Sequence, residues 1–394
     1  MSEKIALGFC NNVDYEIVWS AKVLEDRARY YEIRARELGT AIRINCERDL
    51  VISILSFMEI AAGGERFVAD SALIEDFARQ FDKKITLGGT SVRAAIAMRK
   101  LGYTSALHLI TQNDHVRRLI PADSPYVCSN ERDSTYPHLI MQYPKDARIR
   151  AGDINIRARQ PNRLIYHCNA DRIVLKLNED FADLITSAKV LLISGFNAIQ
   201  SERVLADRLR TVGRMIEALP ADATVFLEDG AYFDPGFRQL IFQALGRRIG
   251  ILSLNEDELQ TNLKRKVDLR DVAQVRAALA DLHRQLPVRT LVVHMRDWAL
   301  AYGDDAGRYG TALKAGATMA TARFRYGDDF KAEDYHNIAQ TAPLSRNAAF
   351  ADAMNATSGG RVICVPVAAV EQSNATTIGL GDAFVGGFLP AWLA

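Results

Sequence analysis

The sequence predicts an α/β protein. The expected core is a doubly wound, mostly parallel central sheet with helices on both faces, and a smaller α/β lid completes it. Three observations carry this. Short apolar runs alternate with amphipathic stretches along most of the chain. The runs are continuously apolar, as in strands covered by helices on both sides. Two segments break the rhythm and read as insertions.

The expected strands, in order, are KIALGF (4–9), TSALHLI (104–110), KVLLISG (189–195), ATVFLED (223–229), RIGILSLN (248–255), RTLVVHM (289–295) and RVICVPV (361–367). Helical patterns lie between them at 91–102, 200–219, 269–286 and 347–358. Residues 15–85 are richer in charge and helix pattern. Residues 125–170 carry HLIMQYP, ARIRAGDINIRAR and NRLIYHCN, which read as short strands of an exposed antiparallel sheet. The expected division is therefore a large α/β core of 1–14, 86–124 and 171–394, with a discontinuous lid of 15–85 and 125–170.

Composition narrows the function. The chain has 394 residues, 48% hydrophobic and 25% charged, with a net charge of +1. Near-neutral charge argues against a dedicated nucleic-acid or membrane-surface binder. No apolar run approaches a membrane span, and the N-terminus lacks a signal-peptide layout. Cys10, Cys46, Cys128, Cys168 and Cys364 stand singly. That spacing excludes a C-x-x-C zinc site and points to reduced thiols in a cytoplasmic protein.

The most informative stretch is TTIGLGDAFVGGFLPAWLA at the C-terminus. Gly379-Leu380-Gly381-Asp382 opens a small-residue helix. Main-chain N–H groups at such a start carry the positive end of the helix dipole and suit an anion. Asp382 in the same turn would repel a phosphate unless it acts on the other reactant, by accepting the proton of an attacking hydroxyl. An anion pocket beside a base is the minimal kit for phosphoryl transfer to an alcohol. Taken alone, the motif is equally a capped helix after a glycine turn.

GLGDAFVGGFL resembles the C-terminal signature of the ribokinase superfamily, in which G-x-G-D supplies an anion hole and a base. LGGTSVRAAIAMRKLG (87–102) is similar to that family's glycine pair leading into a helix, with Thr90 where an Asn is usual. LNEDEL (254–259) matches its N-x-x-E motif through Asn255 and Glu258. Within the superfamily the ADP-dependent glucokinase and phosphofructokinase branch fits best. GFCNNVDYEI (8–17) resembles its N-terminal pattern, and LEDGAYFD (227–234) resembles its H-x-E strand end. There Glu228 is kept and Phe226 replaces the His. LVVHMRDWALAYG (291–303) and CVPVAAVEQSNATTIGLGD (364–382) resemble its nucleotide-side segments.

The resemblance implies roles. Asn12, Asp14, Gly88, Gly89 and Thr90 would bind the acceptor sugar, with Asn12 and Asp14 at the end of the first strand. Glu65, in AAGGER, matches a lid position where the family places an acid facing the sugar. It reads equally well as a surface glutamate beside a turn. Asn255, His294 and Val370, with the loop 365–376, would hold the nucleotide, His294 beside its base. Glu228 and Glu258 would bind Mg²⁺ or another divalent cation. Gly379, Leu380 and Gly381 would form the anion hole, with Asp382 as catalytic base.

Most of these residues also have plainer readings. Glu228 and Glu258 could be solvated acids, although both sit at the C-terminal sheet edge where open α/β folds place ligands. His294 would by default be a core histidine, and Asp14 a turn residue. Asp257 reads as a helix-start charge. An acid at 65 would disfavour a sugar that already bears a phosphate, so a glucose-like acceptor is favoured. Arg148, Arg150, Arg157 and Arg159 could instead bind a phosphate, or simply form a soluble strand face.

The expected activity is thus Mg²⁺-dependent phosphoryl transfer from ADP to a sugar, by a monomer or homodimer. Small-molecule sugar and nucleotide are its partners. Two alternatives stand beside it: an ATP-dependent ribokinase-type carbohydrate kinase, and a catalytically silent sugar or nucleotide sensor on the same fold. A nicotinamide dehydrogenase is disfavoured, because the first turn reads CNNVDY and lacks the G-x-G-x-x-G glycines.

Overall fold

Strand formation follows the apolar runs. The computed structural model describes residues 4–356, 359–371 and 376–394. In chain order its strands begin with β1 (Ile5–Gly8), β2 (Asn12–Ile17), β3 (Gly64–Phe67), β4 (Lys83–Gly88), β5 (Ala106–Leu109) and β6 (Tyr126–Cys128). Next come β7 (His138–Tyr143), β8 (Arg148–Ala151), β9 (Ile154–Arg157), β10 (Asn162–His167) and β11 (Val190–Ile193). The last are β12 (Thr224–Glu228), β13 (Ile249–Asn255), β14 (Thr290–His294), β15 (Trp298–Gly303) and β16 (Val362–Pro366).

The larger sheet runs β16-β15-β14-β13-β12-β11-β1-β5-β6. Its strands from β14 to β6 pair in parallel, whereas β15 and β16 add antiparallel at one edge. Because β12, β13 and β14 are parallel, Glu228, Asn255 and His294 all end at the same sheet edge. Leu191, Phe226, Leu252 and Val292 are wholly buried, which is why these strands need no polar alternation. The strand β15 was not among those expected; its WALAYG run follows β14 after only three residues.

The smaller sheet runs β3-β10-β7-β2-β4. It is mixed rather than antiparallel: β2 lies parallel to β7, and β3 parallel to β10. Two segments fall elsewhere than expected. Tyr126–Cys128 pairs with β5 in the larger sheet. Asn12 and Asp14 start the second strand, in the smaller sheet, rather than ending the first, and they pair with Gly88 and Thr86 of β4. The turn between β1 and β2 therefore joins the two sheets directly. The hairpin β8–β9 buries Ile149, Ala151, Ile154 and Ile156 while Arg148, Arg150 and Arg157 face outward. Arg157 pairs with Asp146 at 2.8 Å.

The C-terminal helix Leu380–Leu393 packs against the helices Thr90–Arg99 and Gly310–Tyr326. Its Gly386 and Gly387 are there for approach. A Cβ at Gly387 would stand 2.5 Å from the Ala315 carbonyl oxygen, and one at Gly386 would stand 2.8 Å from that of Ala94. Close packing at these points fixes where the first turn of the helix sits. No helix among the described residues is long and apolar enough to cross a membrane.

Candidate active site

Gly379 begins the site. It is the N-cap of the C-terminal helix and adopts φ 63°, a left-handed value that glycine takes without steric cost. The N–H groups of Leu380, Gly381 and Asp382 follow in the first turn, where a helix offers them no internal acceptor. Asp382 is part-exposed in that turn. A Cβ on Gly381 would stand 3.3 Å from His294 Cε1 and 3.6 Å from Glu228 Oε1. The glycine turn therefore lies directly against the C-terminal edge of β12 and β14.

Sequence reasoning assigned His294 to the nucleotide base. The structure places it beside Glu228 and the Gly379–Asp382 turn. Its ring stacks on Phe384 at 4.5 Å, and Nε2 lies 3.4 Å from Glu228 Oε1. Burial opposes charge on the imidazole, but Glu228, backed by Glu258 and Glu256, outweighs it and holds the pKa above its ordinary value. Phe226, where the resembled pattern has His, is wholly buried against Phe388 at 5.7 Å. Glu228 thus has an imidazole neighbour after all, supplied by β14.

Asn255 caps the helix Glu256–Leu263. Its Oδ1 accepts from Asp257 N and Glu258 N at 2.9 Å each, and Glu258 Oε2 accepts from Asn255 N at 2.8 Å. This reciprocal capping box fixes both side chains of the N-x-x-E motif. Burial, then the charges of Glu228 and Asp229, push Glu258 up to about 8. Val370 is half-buried and packs against the small apolar cluster that includes Phe330 and Ala97. Residues 372–375 of the expected nucleotide loop lie outside the described residues.

A divalent cation fits this edge. Glu228 Oε2 is buried and has no hydrogen-bond partner among the described residues. Two crowded carboxylates with a spare oxygen suit a hard cation that takes oxygen ligands. Among the described residues, no three His, Cys, Asp or Glu side chains group as a ready-made metal centre. Glu228 and Glu258 would hold the ion, and water and phosphate oxygens would complete its shell.

On the acceptor side, Asn12 Nδ2 donates to Asp14 Oδ1 at 2.5 Å. Gly88 and Gly89 pass so close that a Cβ on Gly88 would strike both side chains, and Gly89 adopts φ 93°. Thr90 starts the helix Thr90–Arg99 and is half-buried. Asp14 is paired with Arg93, whose Nη2 lies 2.7 Å from its Oδ2. Burial nevertheless pushes Asp14 up to about 6, against the pull of Arg93.

Glu65, His167, His138 and Asp14 form a row across the smaller sheet. Glu65 Oε1 lies 3.0 Å from His167 Nε2. The rings of His167 and His138 sit 4.9 Å apart, and His138 Nδ1 is 3.8 Å from Asp14 Oδ1. Burial raises the carboxyl pKa of Glu65, but the His167 bond and the charges of His167, Arg172 and Arg163 overcome this and hold it below the ordinary value. Burial, then His167, Arg172 and Arg93, hold His138 well below its own.

Several of these groups were not anticipated. Arg93, Arg163, Arg172, His138 and His167 gather at the cleft, whereas Arg148, Arg150 and Arg157 lie on the outward hairpin. Arg163 Nη1 donates to the Thr377 carbonyl, which links β10 to the approach to the anion turn. Arg172 Nη2 donates to Asn197 Oδ1 at 2.9 Å, while its Nε is buried without a partner among the described residues. His138 and Arg163 gave no clear signal, since neither β7 nor β10 alternates regularly. Arg93 gave none, since a single arginine early in a helix reads as an exposed charge.

The model of the ADP-specific phosphofructokinase/glucokinase conserved region matches residues 3–389. No curated protein matches the chain by sequence. Among solved structures, a phosphofructokinase from Pyrococcus horikoshii OT3 with AMP superposes with a TM-score of 0.80 at 15% identity, covering 100% of this chain and 98% of that one. A reconstructed last common ancestor of ADP-dependent phosphofructokinases from Methanosarcinales gives 0.75 at 14% identity, covering 100% and 94%. An ADP-dependent kinase in complex with fructose-6-phosphate and ADPβS gives 0.74 at 13% identity, covering 99% and 94%. At these identities the superpositions speak for the fold alone. With the family model matched over nearly its whole length, the chain belongs to the ADP-specific phosphofructokinase/glucokinase family.

Proposed function

We propose that the chain transfers a phosphoryl group from ADP to a hydroxyl of an unphosphorylated, glucose-like sugar, with Asp382 accepting the hydroxyl proton. Family membership carries the coarser part of this reading: an ADP-dependent kinase acting on a sugar hydroxyl. The sugar oxygen bonds to the terminal phosphorus of ADP, the bridging P–O bond breaks, and AMP leaves. Asp382 takes the proton. The N–H groups of residues 380–382 hold the charge on the group in transit. Mg²⁺, when bound at Glu228 and Glu258, would neutralise the nucleotide phosphates. Closure of the smaller sheet over the cleft keeps water from competing as acceptor.

The choice of acceptor rests on Glu65. It shares one polar row with Asp14, and His167 holds it in the ionised form. A carboxylate there accepts sugar hydroxyl protons and repels a phosphate. A second reading, fructose 6-phosphate, draws on Arg163 and Arg172 near that row and on the relative solved with that sugar phosphate. The test is a matrix of ADP, ATP and GTP against glucose, fructose, their 6-phosphates and ribose, with products identified by mass. Turnover with ATP but not ADP, or no product from any sugar, would overturn the proposal.

A further inference from the structure

Arg93 projects from the first turn of the helix that follows Gly88 and Gly89, and its side chain is only 4% exposed. Four carboxylates surround it. Nη2 donates to Asp14 Oδ2 at 2.7 Å and lies 3.7 Å from Glu16 Oε1. Nε lies 3.7 Å from Asp382 Oδ2, and Nη1 lies 3.9 Å from Asp328 Oδ1. Nη1 makes no hydrogen bond among the described residues. The guanidinium also rests on the anion turn itself: a Cβ at Gly379 would stand 2.8 Å from Arg93 Cδ and Nη1.

One rigid cation therefore bridges the acceptor-side carboxylate and the carboxylate in front of the anion turn. A planar fork can face both partners at once, and it keeps its charge at every working pH. A lysine offers a single point of charge and would satisfy only one of them. The far partner is itself held firmly. Arg323 Nε donates to the Ile378 carbonyl at 2.7 Å, and the same guanidinium pairs with Asp328. The residue just before Gly379 is thus anchored from the opposite side.

We infer that Arg93 is a positioning residue for phosphoryl transfer, setting the spacing between Asp14, which holds the acceptor sugar, and Asp382, which takes its proton. This rests on the proposed roles of those two carboxylates. It goes beyond them by assigning their alignment to a third side chain that touches neither reacting atom. Small errors in such alignment are costly, because transfer requires the hydroxyl and the terminal phosphorus to meet in line.

The experiment compares Arg93→Lys and Arg93→Met with the parent, and runs Asp382→Asn beside them. ADP-binding sites are counted by calorimetry, so that turnover is expressed per folded site. For Arg93→Lys, ADP affinity stays within about twofold, kcat per ADP-binding site falls about 10- to 100-fold, and the sugar KM rises about 3- to 10-fold. A merely structural arginine would change the number of sites and leave both per-site values alone. Arg93→Met, if it folds, loses at least as much. The inference is overturned if Arg93→Lys keeps kcat per site and sugar KM within about twofold of the parent. Loss of ADP binding in Arg93→Lys would assign Arg93 to folding and also overturn it. Full turnover by Asp382→Asn would instead remove the premise, a failure recognisable without any Arg93 variant.

Discussion

Glu65 Oε1 and His167 Nε2 face each other at 3.0 Å on the neighbouring strands β3 and β10. The contact converts a lid glutamate from a surface charge into an oriented acceptor. The His167 ring packs against His138 at 4.9 Å, and His138 reaches Asp14. A sugar lying along this row would meet a carboxylate at each end, with neutral imidazole surface between where His138 is held deprotonated. The proposed preference for an unphosphorylated acceptor rests on this arrangement.

Asp382→Asn removes the proton acceptor while keeping the size of the side chain. Turnover should fall about 10²- to 10⁴-fold, the usual contribution of a positioned general base. ADP affinity, measured by calorimetry, should change little. A variant with parental kcat would refute the base assignment.

Glu258→Gln weakens the cation site without disturbing its helix, since Gln also serves a capping box. The Mg²⁺ concentration for half-maximal rate should rise about 10- to 100-fold, as for other changes at metal-site partners. An unchanged magnesium titration would count against Glu258 as a ligand.

Asp14 gives a pH signature with a definite sign. Burial raises its folded-state value from 3.8 to about 6. Between those values the unfolded chain releases its proton first, so stability falls as pH rises through that window. Asp14→Asn cannot titrate. Its melting temperature relative to the parent should therefore climb between pH 4 and pH 7, by about the effect of two pH units of linkage. A flat difference, or one of opposite slope, would show that Arg93 dominates burial at this carboxyl.

Gly387→Ala tests the packing that seats the anion turn. The added methyl meets the Ala315 carbonyl and the Met319 side chain. Chemical denaturation should show a loss of about 1–3 kcal/mol from overpacking. Parental stability would mean that the two helices can separate at no cost.

The sequence made the central sheet legible because its strands are apolar on both faces. Glu228 and Asn255 end such strands, while Glu258 and Gly379–Asp382 open the helices that follow the edge, so their common location could be read from the order of elements. The smaller sheet was harder. Tyr126–Cys128 has the polarity of a lid strand but pairs with β5, and only three-dimensional pairing reveals that. The contact of His294 with Glu228 was not legible, because its reach across β13 has no local signature. Arg93 was invisible for the opposite reason. An arginine in a helix reads as solvent-facing until Asp14, Asp328 and Asp382 close around it from distant elements.

The central claim is the pairing of ADP with an unphosphorylated acceptor selected by Glu65. It is tested most directly by kcat/KM for glucose and for fructose 6-phosphate, with ADP and Mg²⁺, in the parent and in Glu65→Gln. The account predicts that the parent prefers glucose, and that the substitution lowers glucose kcat/KM about 10-fold or more, as expected for loss of a hydrogen bond to a charged group. A parent enzyme that prefers fructose 6-phosphate, with Glu65→Gln leaving the ratio unchanged, would contradict it.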